Sequence, residues 1–135
     1  NSIATSNMAI YNSDGYGSLG SNMTFSSGVF TFPSTGIYLI LGQGYFVYNT
    51  AAANYNGVYL HTTTDNSSYG FAAGSYNHTV ASGDHVSNYF NFIFDVTNTS
   101  THKCKFGYET QAGATVTGAT NGVLTGITFI RLGDT

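Results

Sequence analysis

The chain is poor in charge. Only 7% of its 135 residues are Asp, Glu, Lys or Arg, against about a quarter in ordinary soluble domains. Lys103, Lys105 and Arg131 are the only basic side chains besides histidine, and net charge is −3. So few cations cannot neutralise a track of phosphates, which excludes nucleic acid as a partner. Little like-charge repulsion also means little to keep copies of the chain apart, so part of the apolar surface is expected to be covered by other copies. Cys104 is the sole cysteine, so neither an intrachain disulfide nor a thiolate metal cluster can form. No run approaches the ~20 apolar residues of a membrane-spanning helix, so no membrane insertion is expected. The chain opens at Asn1 with no initiator Met and no signal-like apolar stretch, as in a processed product or the ordered part of something longer.

Helical periodicity is missing as well. Ser6, Ala9 and Tyr11 do not continue a 3.6-residue stripe, and Gly or Asn interrupts most windows. Present instead are 11 Tyr, 10 Phe and 17 Gly, with polarity supplied by Asn, Ser and Thr. This mixture suits short strands and tight turns. Period-two alternation predicts strands over 2–11, 23–25, 28–32, 37–48, 57–63, 69–73, 76–81, 86–97, 102–110 and 122–132, which is about eight to ten strands. Val86, Asn88, Phe90, Phe92, Phe94 and Val96 form one face of the 86–97 strand. Asn56-Gly57 and Asn121-Gly122 read as hairpin-type punctuation, Asp14-Gly15 and Ser82-Gly83-Asp84 as further breaks, and TNTST at 97–101 as a turn. Even spacing without helices or a fixed repeat predicts one all-β domain over 1–135, an antiparallel sandwich or jelly roll.

The stretch GVFTFPSTGIYLI carries the most information. Phe30 and Phe32 share a face, Pro33 ends their strand by removing a ladder donor, and Gly36 releases the turn. The next strand is apolar on both faces, with Tyr38 and Ile40 on one and Leu39 and Leu41 on the other. A strand buried on both sides of a sandwich needs a second cover, and a neighbouring subunit is the simplest.

SSGVFTFPSTGIYLILGQ resembles the jelly roll of the tumour necrosis factor and complement-head superfamily, in which a strand with an F-T-x-P-like ending precedes G-[IL]-Y-[LYF]-[IF]. SGDHVS resembles that family's G-D turn, and NGVLTGITFI its closing strand. The chain departs from the pattern in having a long 86–97 strand, the TNTST turn and a 102–110 strand where the family has one, and in lacking a collagen-like stalk. The resemblance implies a compact homotrimer. Leu39, Leu41 and Leu124 would meet neighbouring copies near the threefold axis, while Tyr38 and Ile40 point into a core shared with Phe30, Phe32, Phe90, Phe92 and Phe94.

Residues able to carry chemistry are scattered. His61, His78, His85 and His102 show no metal-site spacing, and His102 lies near Cys104 as one of only two ligands. Ser82-Gly83-Asp84-His85 lacks a nucleophile elbow and reads as a turn. Asp65, Asp84, Asp95 and Glu109 suggest no glycosidase pair, and Asp65-Asn66-Ser67 is not a calcium loop. No enzymatic activity, metal or cofactor is expected. SLGSN, NTAAANYNG, TTTDNSSYGFAAGSYNH and QAGATVTGATNG are rich in Tyr, Ser, Asn and Gly, a palette shared by recognition loops and by plain turns, and Tyr55, Tyr69 and Tyr76 are its candidate contacts.

The resemblance, together with the charge-poor composition, implies a bacteriophage structural protein on the virion surface. It would be a trimeric knob decorating a capsid or tipping a fibre, in contact with other virion proteins and with a host-surface glycan or protein. The alternative is a secreted extracellular ligand of the same fold binding a protein or glycan receptor.

Overall fold

The computed structural model describes residues 2–15, 17–49, 53–111 and 114–135. Its strands are β1 (Ser2–Ile3), β2 (Thr24–Ser26), β3 (Val29–Thr31), β4 (Gly36–Tyr48), β5 (Ala53–Thr63), β6 (Gly70–Thr79), β7 (His85–Val96), β8 (Lys103–Thr110), β9 (Ala114–Val116) and β10 (Gly126–Gly133). Among the described residues there is no helix. The strands make two antiparallel sheets. A six-stranded sheet runs β2-β3-β8-β5-β6 with β1 beside β8, and a four-stranded sheet runs β10-β4-β7 with β9 beside the end of β4. Their inner faces pack together as a sandwich.

Alternation sets which side chains meet between the sheets. From β3, β5 and β8 come Phe30, Val58, Leu60, Cys104 and Phe106; from β4 and β7 come Tyr38, Ile40, Phe46, Phe90, Phe94 and Val96. Phe32, just past β3, joins the two sheets. Its ring centroid lies 4.7 Å from Tyr38, 5.7 Å from Phe94 and 5.9 Å from Phe129. Such pairs contribute about 0.5–1.5 kcal/mol beyond the burial of each ring. Phe92 is half-buried at the margin of this core.

The PSTG bend is fastened from two sides. The Tyr38 hydroxyl donates to the Ser34 carbonyl at 2.9 Å, and Arg131 Nε donates to the Thr35 carbonyl at 3.0 Å. Gly36 has φ of 142°, and a Cβ there would lie 2.5 Å from the Gly133 carbonyl oxygen. Glycine is required by both backbone angle and close approach.

Several boundaries differ from the sequence expectation. Over 2–11 only Ser2–Ile3 forms a strand; Ala4 still donates to the Phe106 carbonyl, and Ala4 and Met8 pack against the core as irregular chain. The segments 69–73 and 76–81 are one strand, β6, continuous through Gly74. Asn56-Gly57 is not a turn but the interior of β5, paired to both β6 and β8. Asn56 is fully buried, and among the described residues its carboxamide has no hydrogen-bond partner. The final strand begins at Gly126 rather than 122, because Thr125 turns its hydroxyl to the Thr117 carbonyl and accepts from Tyr45 N–H. That contact docks the 117–125 segment onto β4 before strand pairing starts. The short β9 went unforeseen.

Candidate functional site: the two outward sheet faces

Reactive residues are dispersed, and several have local tasks. Asp84 accepts from the backbone N–H groups of Val80 and Ala81 at 2.7 and 2.8 Å. These bonds, Ala81's foremost, hold its carboxyl below the ordinary carboxylate range. Ser82 Oγ donates instead to the Asn49 carbonyl, and His85 Nδ1 hydrogen bonds with the Tyr45 hydroxyl at 2.6 Å. Ser82, Asp84 and His85 therefore do not converge. Asp65 accepts from the Thr63 hydroxyl and from Ser67 and Ser68 N–H, each within 2.8 Å, which closes the β5–β6 turn and pulls its pKa well down. His102 stacks on Phe94 and bonds to Thr97 and Thr101. Burial pushes the Cys104 thiol up and keeps it unreactive. Among the described residues no group of three or more His, Cys, Asp or Glu is placed to hold a metal.

What the strands do assemble is two contrasting outward faces. On the four-stranded sheet, register places Ile130, Leu39 and Ile93 in one row and Thr128, Leu41 and Asn91 in the next. Residues opposite one another in a ladder share a face, so these rows lie side by side. Leu39 is half-buried, while Leu41, Ile130 and Ile93 expose 38%, 44% and 62% of their surface. Gln43 extends the face by donating from Nε2 to the Val123 carbonyl at 2.6 Å. That bond brings Val123 and Leu124, both partly exposed, to its margin. Leu124 thus lies in the lead-in to β10 rather than in the strand. Leu41, Gln43, Tyr89, Asn91, Val123 and Thr128 border an open depression of about 310 Å³.

On the six-stranded sheet the outward rows are Glu109–Gly57–Tyr76, Gly107–Tyr59–Gly74 and Lys105–His61–Phe71. Rings and glycines alternate. A Cβ on Gly57 would meet the Tyr76 ring at 2.3 Å, one on Gly74 the Phe71 ring at 2.8 Å, and one on Gly107 the Tyr59 ring at 2.3 Å. Each ring therefore leans over a glycine instead of standing away from the sheet. Tyr59 is buried as the floor; Phe71, Tyr76 and Tyr55 remain 60%, 47% and 41% exposed. Tyr55 meets Tyr76 edge to face at 6.3 Å and bonds to Glu109, and the Lys105 ammonium sits 3.8 Å above the Tyr69 ring.

Of the candidate contacts, only Tyr69 is in a loop. Tyr55 belongs to β5, which starts at Ala53 and runs through Asn56-Gly57, and Tyr76 belongs to β6. In the NTAAANYNG and QAGATVTGATNG stretches, residues 50–52 and 112–113 lie outside the described residues. The ring-over-glycine pattern was missed from sequence; paired residues such as Gly57 and Tyr76 lie far apart along the chain, and only register joins them. No protein-family model matches the chain, and a search of curated proteins finds no match either.

Proposed function

We propose that the chain is a non-enzymatic virion structural protein, a trimeric jelly-roll knob of a bacteriophage that decorates the capsid or tips a fibre. The jelly-roll assignment is supported by nested pairing. β5 pairs with β6, β4 with β7, and β3 with β8, the order of one long ribbon wound on itself. A complete ribbon would add the first strand beside the last. Here β1 pairs with β8, and among the described residues β10 is paired only to β4.

The observation that carries the trimer is the aliphatic row Ile130–Leu39–Ile93 with Leu41 beside it, on a sheet whose other face is already the core. Burying such a side chain from full exposure contributes about 1.5–3 kcal/mol. Leu41, Ile130 and Ile93 are 38%, 44% and 62% exposed, so covering the remainder of each adds roughly half of that and rewards assembly. Charge opposes assembly only weakly, since Asp95 and Arg131 are the only ionic groups on β4, β7 and β10. Virion structure suits a chain in which Asp65, Asp84, His85 and His102 are spent on turns and packing. The test is mass spectrometry and antibody labelling of intact phage particles. Presence at the particle surface is the expected result, and a chain found only in the free secreted fraction overturns it.

A further inference from the structure

We propose that the outward face of the six-stranded sheet is a binding platform for an uncharged oligosaccharide, with Phe71, Tyr76 and Tyr55 as its stacking rings. This ligand class refines the surface-contact role proposed above and rests on it, yet it does not require the trimer.

Three features of the face select this ligand. First, the rings lean over glycines, so Tyr76 and Phe71 are braced by backbone below and offer their other side to solvent. A flat sugar ring has an apolar C–H side that matches a braced aromatic surface, whereas an interlocking protein side chain favours a recess. Phe71 and Tyr76 are five residues apart on β6, so their rings offer two separate contacts along one strand.

Second, polar groups rim the rings. Glu109 can accept from sugar hydroxyls; His61 and the tyrosine hydroxyls can donate or accept. The phenols stay neutral. Tyr55 is raised chiefly by the Glu109 charge, and Tyr59 and Tyr76 chiefly by burial with Glu109 adding to it.

Third, Lys105 and Glu109 offset each other, and Lys105 is engaged by the Tyr69 ring. Lys103, the other cation on this sheet, is bound to the Thr99 carbonyl and Thr31. Without a cluster of free cations, an acidic glycan or a single-stranded nucleic acid lacks its electrostatic partner.

The experiment is native electrophoresis of the whole chain through gels cast with β-glucan, galactomannan, xylan or dextran, with heparin as the charged control. Retardation by at least one neutral polysaccharide is expected. The Phe71→Ala, Tyr76→Ala double variant should weaken it roughly tenfold or more, as loss of a hot-spot pair does. Phe71→Tyr keeps the ring and should bind like the parent. Circular dichroism checks that the variants are folded, and Phe71→Ser, at the most exposed of the three rings, is the second probe should the double variant unfold. Four results overturn the proposal: no retardation in any neutral gel, retardation by heparin alone, binding unchanged by loss of the rings, or a double variant whose oligomeric size differs from the parent's. The last would place a second copy of the chain on this face. Since size is read separately, failure here leaves the trimer standing, and a monomer that binds leaves the platform standing.

Discussion

The two outward faces are built from the same kind of strand and differ in their chemistry. β4, β7 and β10 turn Leu39, Leu41, Ile93 and Ile130 outward, flexible aliphatic groups with no polar tip. β5, β6 and β8 turn outward Tyr59, Phe71, Tyr76 and His61, rigid rings interleaved with Gly57, Gly74 and Gly107. Aliphatic groups gain from interdigitating with their like, as in a core cut in half. Leaning rings with hydroxyl tips serve a partner that is flat and partly polar. This difference underlies the assembly role proposed for one face and the contact role proposed for the other, and exposure alone would not have separated them.

The largest effect on folding is expected where a glycine serves the core common to both sheets. A Cβ on Gly42 would lie 2.1 Å from the buried Phe90 ring. Gly42→Ala should cost about 1–3 kcal/mol through overpacking. Gly107→Ala pushes Tyr59 on the outward face, where His61 can give way, and should cost less in the same urea titration. Equal costs would show that the aromatic face is packed as tightly as the interior.

A smaller effect separates the faces by mass action. Assembly through the aliphatic face makes the melting temperature rise with chain concentration. Ile93→Asp should remove that dependence, and Tyr76→Ala should leave it intact. In the separated chain, Ile93→Ala should shift stability by no more than about 0.5 kcal/mol, as expected for an exposed site.

Acid provides a finer comparison. Asp65 and Asp84, both at turns, are held below their ordinary value of 3.8 by hydrogen bonds to their ionised forms. A depressed folded pKa gives stability that is complete above about pH 4 and lost as pH falls through the folded values. Asp65→Asn and Asp84→Asn should flatten the acid limb of the stability profile. His61 lies between Tyr59 and Phe71 with its pKa lowered, first by burial and then by Lys105. Its protonation therefore opposes folding as pH drops below about 6.5. His61→Gln should reduce a slight loss of stability between pH 7 and 5, read from thermal melts, without changing oligomeric mass.

The aliphatic side of this contrast is legible in the sequence. Leu39 and Leu41 opposite Tyr38 and Ile40 betrayed a strand apolar on both faces, and the 86–97 alternation placed Phe90 and Phe94 inward. These signals are local, since alternation alone assigns a side chain to a face. Asn56-Gly57 misled for a physical reason. The pair tolerates positive φ, but Gly57 instead makes room for Tyr76 from the neighbouring strand, and Asn56 turns into the sandwich. Glycines among aromatics hinted at such pairs, as at Gly42 and Gly44 on the inward face of β4. Which ring covers which glycine depends on register, and register depends on the whole sheet. The irregular course of 4–11 was equally hidden, since Ala4 and Met8 are held by Phe106 and the core rather than by a neighbouring strand.

The most direct measurement is the mass of the purified chain by multi-angle light scattering across a concentration series, beside its Leu41→Asp, Ile93→Asp variant. Assembly through the aliphatic face predicts three times the 14.3 kDa chain mass for the parent and a folded single chain for the variant. A parent that runs as one chain at every concentration, with a variant indistinguishable from it, would contradict the claim that copies of this chain cover Leu39, Leu41, Ile93 and Ile130.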